Sequence, residues 1–148
     1  ICVEGLVDVE TSMGTTKIGI KQIHVEEDAG KLVHTNDSSL VDYNRTSVPL
    51  IEIVTKPDFR SAEEVISYLK TLKSKLQFAQ ISECEEGAMR CDINISVRPE
   101  GSDILGVRTE IKNMSSLTSI EEAINKEAIR HIDALERRTE VLVQETRR

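Results

Sequence analysis

Apolar and polar residues alternate over residues 2–9 and again over residues 17–25, with Gly14 in the stretch between. A period of two marks a half-buried strand, so the pair predicts a hairpin turning at residues 11–15. Residues 31–34 and 39–42 predict two short strands around an Asn36-Asp37 turn. Residues 49–54 are apolar except for Glu52, as in a buried strand.

The period changes at Ser61. Ser61 with Glu64 three residues later forms a capping box, which satisfies free amides of a first helical turn. Val65, Ile66, Leu69, Leu72 and Leu76 follow at helical spacing. A second helix is predicted over residues 119–137, with an apolar stripe of Ile120, Ala123, Ile124, Ala128, Ile132 and Leu135. Between the helices, residues 91–97 and 107–111 alternate around a loop at residues 99–103, which predicts a further hairpin. Residues 140–144 read either as a returning edge strand or as a frayed end. These elements predict an α+β fold: an antiparallel sheet with two main helices packed on one face.

The 148 residues fit one domain over the whole length, 1–148. Hydrophobic residues make up 39% and charged residues 30%, with no Trp, two Tyr and two Phe, so the predicted core is aliphatic. No apolar run reaches the ~20 residues that span a bilayer, so no membrane partner is expected. No basic start leads into an apolar stretch, and the strand pattern begins at once after Ile1, as in an excised fragment. Cys2, Cys84 and Cys91 have neither disulfide-framework nor zinc spacing, which fits reduced thiols and a cytoplasmic location. The net charge of −7 repels phosphate backbones and gives no support for autonomous nucleic-acid binding. It also fits carboxylates gathered to hold divalent cations.

Three groups of residues could carry chemistry. In the predicted second hairpin, Asp92, Asn94, Ser96 and Arg98 alternate with Ile93, Ile95 and Val97, and Arg108, Glu110 and Lys112 alternate with Val107, Thr109 and Ile111. The apolar sides face a core, so the polar sides share the other surface. That surface is either a solvated sheet face with cross-strand ion pairs or a site. Glu26, Glu27 and Asp28 end a predicted strand and lead into Gly30 and Lys31. Adjacent carboxylates repel unless a cation neutralises them; Mg²⁺ takes one or two carboxylates plus phosphate and water. Gly30 permits close backbone approach, and Lys31 offers a point charge to a phosphate. An acidic surface turn is the other reading. Glu83, Glu85 and Glu86 form a second acidic cluster before Arg90 and Asp92. Glu52 either points outward from an edge strand or is paired in the interior, and His24 is a minor candidate on the Glu26 side of its strand. No Walker-type phosphate loop is present, so a nucleotide would be held chiefly through metal ions.

The stretch His24-Val25-Glu26-Glu27-Asp28-Ala29-Gly30-Lys31 resembles the signature of the B-subunit family of tRNA-dependent aspartyl/glutamyl amidotransferases, shared with its archaeal E-subunit relative. Asp42-Tyr43-Asn44-Arg45, Val48 to Val54, Pro57 to Ser61, Glu85 to Gly87 with Arg90-Cys91-Asp92, Asn94, Ser96 to Pro99, Thr109 to Asn113 and Gln144 to Arg147 resemble its further blocks, in order. The sequence departs from the family's usual residues at Ser47 (Gly), at Ser115 (Asn) and at Ala88-Met89 (Ser-Leu).

The resemblance implies a catalytic domain of glutamine synthetase or guanido kinase type. It also implies a reaction in which ATP and Mg²⁺ phosphorylate the side-chain carboxylate of Glu-tRNA(Gln) or Asp-tRNA(Asn), for amidation by ammonia. By resemblance, Glu26, Glu27, Asp92 and Glu110 bind metal, with Glu27, Asp92 and Glu110 in the catalytic role. Lys31, Arg90 and Lys112 are weaker candidates for phosphate contact. The implied partners are the A and C subunits of the amidotransferase and misacylated tRNA, the last held mainly by domains outside this stretch. An internal fragment of this kind is expected to have negligible amidotransferase activity alone. The alternative is a non-catalytic assembly module that docks the A and C subunits.

Overall fold

A computed structural model describes residues 2–85 and 88–147. Ten elements follow in order: β1 (Cys2–Thr11), β2 (Gly14–Glu27), β3 (Lys31–His34), β4 (Ser39–Asp42), β5 (Pro49–Thr55), α1 (Ala62–Phe78), β6 (Cys91–Ile95), β7 (Thr109–Met114), α2 (Leu117–Arg137) and β8 (Glu145–Arg147). The result is α+β with two helices, as expected; β2-β5, β3-β4 and β6-β7 pair antiparallel, while β8 joins β7 in parallel. Among the described residues the strands divide into three sheets, β1-β2-β5, β3-β4 and β6-β7-β8, where the alternation predicted one. Alternation fixes which face of a strand is buried but says nothing of which strand lies beside it.

The contacts cluster into two compact units: residues 1–8 with 15–58, and residues 9–14 with 59–148. In the first, β5 is an edge strand and pairs antiparallel with β2, His24 opposite Glu52 and Glu27 opposite Pro49. Proline suits an edge because it has no amide to donate. Ile18 and Val7 are buried there. The amide of Gly19 donates to the Asp58 carboxylate at 2.8 Å, and a side chain at Gly19 would collide with Lys56 and Asp58. The β3-β4 hairpin is exposed along its whole length.

In the second unit α1 is capped as predicted: Ser61 Oγ accepts the amide of Glu64. The Glu64 carboxylate reaches back to the amide of Arg60, one residue before the usual box partner. Tyr68, Leu69 and Leu72 form the buried face of α1, and α1 packs on α2, which in turn packs on β6 and β7. Ser12 and Ser67 tie residues 9–14 to α1, through Glu63 and through the carbonyl of Glu10.

The buried face of α2 is rotated from the predicted stripe. It comprises Ile120, Glu127, His131 and Ala134, while Ile132 and Leu135 face outward. Residues 140–144 are irregular and the last strand starts at Glu145, pairing parallel to β7. The hairpin of β6 and β7 is shifted from the prediction: β6 stops at Ile95, and β7 starts at Thr109 and runs on to Met114. A Cβ on Gly106 would overlap the carbonyl of Val97, so these backbones are packed together inside a loop. Ser96, Arg98 and Arg108 therefore lie off the strands.

Candidate functional site

The candidate carboxylates divide between the two units. In the first, Glu26 and Glu27 end β2, both exposed. Neighbouring residues of a strand project to opposite faces, so the two carboxylates point to opposite sides of β2. His24 and Glu52 face each other across β2 and β5, both exposed. Glu52 thus takes the outward orientation on an edge strand.

Asp28 has a structural task. Its carboxylate accepts from Arg45 Nε at 3.0 Å and Nη2 at 2.7 Å, and its backbone bonds to Val48 and Ser47. Both donors converge on the single oxygen Oδ2, and these charge-assisted bonds tie the acidic turn to the following Asp42-Arg45 block. A Cβ added at Gly30 would meet Val41, Asp42 and Tyr43 at 3.4 Å, an ordinary van der Waals distance, so an alanine would fit there. Lys31 opens β3 opposite Asp42, exposed.

In the second unit three predicted residues come together on the outer face of β6 and β7. Thr109 and Ile111 point inward and are buried, so Glu110 and Lys112 point outward. The ladder has an irregularity between Cys91 and Ile93, beside Asp92. Asp92 Oδ1 accepts the amide of Asn113 at 2.8 Å, and Oδ2 lies 3.3 Å from Lys112 Nζ. Lys112 Nζ is also 3.4 Å from Glu110 Oε1. One ammonium thus sits between two carboxylates from neighbouring strands. The hydrogen bond and charge of Asp92, then those of Glu110, raise the Lys112 pKa. Asn94 stands opposite Glu110. Arg90 is exposed in the approach to β6. Glu86 and Gly87, part of the second acidic cluster, lie outside the described residues.

Behind this face, burial and then the Asp92 charge push the Cys91 thiol up to about 11, so it stays protonated at neutral pH. Cys2, Cys84 and Cys91 are all free. Within neither unit do the described residues include a cluster of three or more His, Cys, Asp or Glu side chains able to hold a metal ion.

The residues that sequence reasoning missed lie on the inner side of β7. Arg130 of α2 donates to Glu127, to Glu145 at 2.9 Å and to Thr109 Oγ1 at 3.2 Å, and pairs with Glu140 at 2.8 Å. His131, fully buried, lies 2.9 Å from Thr109 Oγ1 and 3.2 Å from Glu127 through Nε2. Arg147 reaches Glu145 at 2.9 Å. Burial works to raise the Glu127 carboxyl. Hydrogen bonds from Arg130 and Thr109, with the charges of Arg130 and Arg147, overcome it and hold the group below its ordinary value. The available signal was spacing. Ile120, Ile124, Glu127, His131 and Ala134 follow a 4-3-4-3 interval, so two polar residues interrupt a helix's buried seam.

The described residues thus form an α+β chain with a lysine held between carboxylates on a strand pair. Comparison with known families narrows the class. The model of the GatB/GatE catalytic domain matches residues 1–148, and the chain belongs to that family. Among curated relatives, the B subunit of the aspartyl/glutamyl-tRNA(Asn/Gln) amidotransferase of Clostridium botulinum (strain 657 / Type Ba4) is 54% identical over 151 residues, covering 100% of this chain and 32% of that protein. The corresponding B subunit numbered 1 of Clostridium acetobutylicum is likewise 54% identical, with the same coverage. The chain spans about a third of the length of the curated relatives it matches.

Proposed function

We propose that this chain is the carboxylate-activating part of the B subunit in a tRNA-dependent amidotransferase, which is a carbon–nitrogen ligase. The observation that carries the reading is the family match over the entire chain. In the reaction, the γ-phosphoryl of ATP passes to a side-chain carboxylate oxygen of Glu-tRNA(Gln) or Asp-tRNA(Asn), and ADP leaves. Ammonia then attacks the acyl carbon, and inorganic phosphate leaves as the amide forms. A free carboxylate resists this attack because oxide is a poor leaving group.

The residues on the outer face of β6 and β7 fit a hard divalent cation. Asp92 and Glu110 supply carboxylate oxygens, the donor type Mg²⁺ takes, and they already enclose a positive charge, that of Lys112. In the first unit Glu26 and Glu27 supply the same donor type. Mg²⁺ bound with ATP would neutralise phosphoryl charge and orient the reacting oxygens. Lys112 would then be released from its carboxylates to meet a phosphate, with Arg90 and Lys31 as further cationic contacts. The arrangement belongs, on this reading, to a glutamine synthetase or guanido kinase type of domain. The A subunit supplies ammonia, the C subunit bridges the other two, and tRNA is held mainly by domains beyond this stretch. The location is cytoplasmic.

Titrating Mg²⁺ and ATP into the chain by calorimetry tests the reading. We expect binding no tighter than the millimolar range, weakened further in a Glu27→Gln, Asp92→Asn double variant. Equal heats from both proteins would sink it. A second reading, a non-catalytic module docking the A and C subunits, is favoured by one feature. Leu32, Val33, Leu40, Val41 and Tyr43 are exposed together on and beside the β3-β4 hairpin. It requires binding to those two proteins without affinity for Mg²⁺ and ATP.

A further inference from the structure

The segment Gln144 to Arg147 has no part in the proposed chemistry, yet its strand ends beside Glu110. The Thr146 hydroxyl donates to Glu110 Oε2 at 3.0 Å, while Glu110 Oε1 faces Lys112. Glu110 and Thr146 are direct neighbours in the parallel β7-β8 ladder. A three-residue strand has too few ladder bonds to hold itself in place. What holds it is on the other side. Glu145 is bound by Arg130, and Arg147 bridges Glu145 and lies 3.7 Å from Glu127. Arg130 also clasps Glu127, Glu140 and Thr109, the residue preceding Glu110. Alternate residues of β8 therefore split the work: Glu145 and Arg147 turn toward the arginine node, and Thr146 turns outward to the carboxylate.

We propose that Arg130 is a positioning residue: it locks β8 against β7, and the Thr146 hydroxyl then fixes the orientation of the Glu110 carboxylate. The role rests on the reading of Glu110 as a Mg²⁺ ligand. The device is a relay of contacts from a helix, through a short strand, to one carboxylate oxygen. It leaves the other oxygen for a cation. Partners that orient a metal ligand without touching the metal typically contribute a factor of roughly 10 to 100 in affinity.

Mn²⁺ affinity of the full 148-residue chain, read from the free-ion paramagnetic resonance signal, gives the test, with amide hydrogen exchange at residues 145–147 alongside it. Thr146 is exposed, so Thr146→Val removes a hydroxyl without a cavity. We expect it to weaken Mn²⁺ binding roughly ten-fold with an unchanged melting temperature, and Thr146→Ser to retain wild-type affinity. Arg130→Lys should speed exchange at residues 145–147 and weaken Mn²⁺ to the same degree, and the double variant should be no weaker than Arg130→Lys alone. If Arg130→Lys does not fold, Glu145→Gln cuts the same link from the strand side and should reproduce both effects. Wild-type Mn²⁺ affinity in Thr146→Val, or unaltered exchange at residues 145–147 when the link is cut, overturns the positioning role. A wild-type chain that takes up no Mn²⁺ overturns the ligand reading of Glu110 instead, and the positioning role with it.

Discussion

Ser47 shows how one side chain can work against its backbone. It sits at φ 64, in the left-handed region, and its amide donates to the carbonyl of Asp28 at 2.9 Å. A residue with a Cβ is strained by about 1–2 kcal/mol there, whereas glycine is not. Glycine is the residue that the family resemblance leads one to expect at this position. Ser47→Gly keeps the amide and removes the strain. The greater freedom of glycine in the unfolded chain offsets part of the gain. We expect a net increase in stability of about 0.5–1 kcal/mol, measured by urea denaturation. A loss of stability would show that the serine side chain does more for the turn than its strain costs. The departure from the family was legible in the sequence; its consequence was not, because residue identity does not reveal φ.

At the scale of elements, α2 and β8 are joined by charge instead of apolar packing alone. Glu127 is buried and its carboxyl is held below the ordinary value, despite burial, by Arg130, Thr109 and Arg147. A carboxyl with a lowered folded-state pKa stabilises the fold fully above its unfolded value of about 4.3, and the contribution is lost as pH falls through the lower folded value. Glu127→Gln should therefore cost roughly 2 kcal/mol or more at pH 7, by thermal or urea unfolding. The difference from wild type should shrink as pH falls below about 4. A constant difference from pH 7 to pH 3 would show that the ionised form has no special place in the network. The capped start of α1 and the apolar face of its first turns were readable from Ser61, Glu64 and the leucine spacing. The face of α2 was misread because Ile132 and Leu135 look like core residues, while Glu127 and His131 look like surface. Mutual hydrogen bonding inverted that order, since polar groups enter an interior when their partners enter with them.

For the whole molecule, the net charge of −7 sets an expectation for nucleic acid. Phosphate binding depends on cations that release counterions, and an acidic chain has few to spare. The isolated chain should retain tRNA with a dissociation constant weaker than about 10⁻⁴ M at physiological salt, measured by filter binding. Micromolar retention would reveal a basic surface concealed by the overall acid excess. Tight tRNA binding by a longer protein containing this domain is compatible with that result, because the chain spans only about a third of its relatives' length.

The sequence by itself determined the α+β class, nearly every strand and helix, and the family, since period and ordered motifs are local properties of the chain. It also put Asp92 on the polar side of one strand and Glu110 with Lys112 on the polar side of another, because alternation alone decides that. Only tertiary structure decided that Lys112 bridges the two acids, that Asp28 is engaged by Arg45, and that the strands split into three sheets. It alone decided, too, that a terminal strand runs parallel to β7 with a threonine on Glu110. Those outcomes depend on which distant segments meet, and pairing across sequence distance is set by the summed fit of many side chains, which no local pattern records.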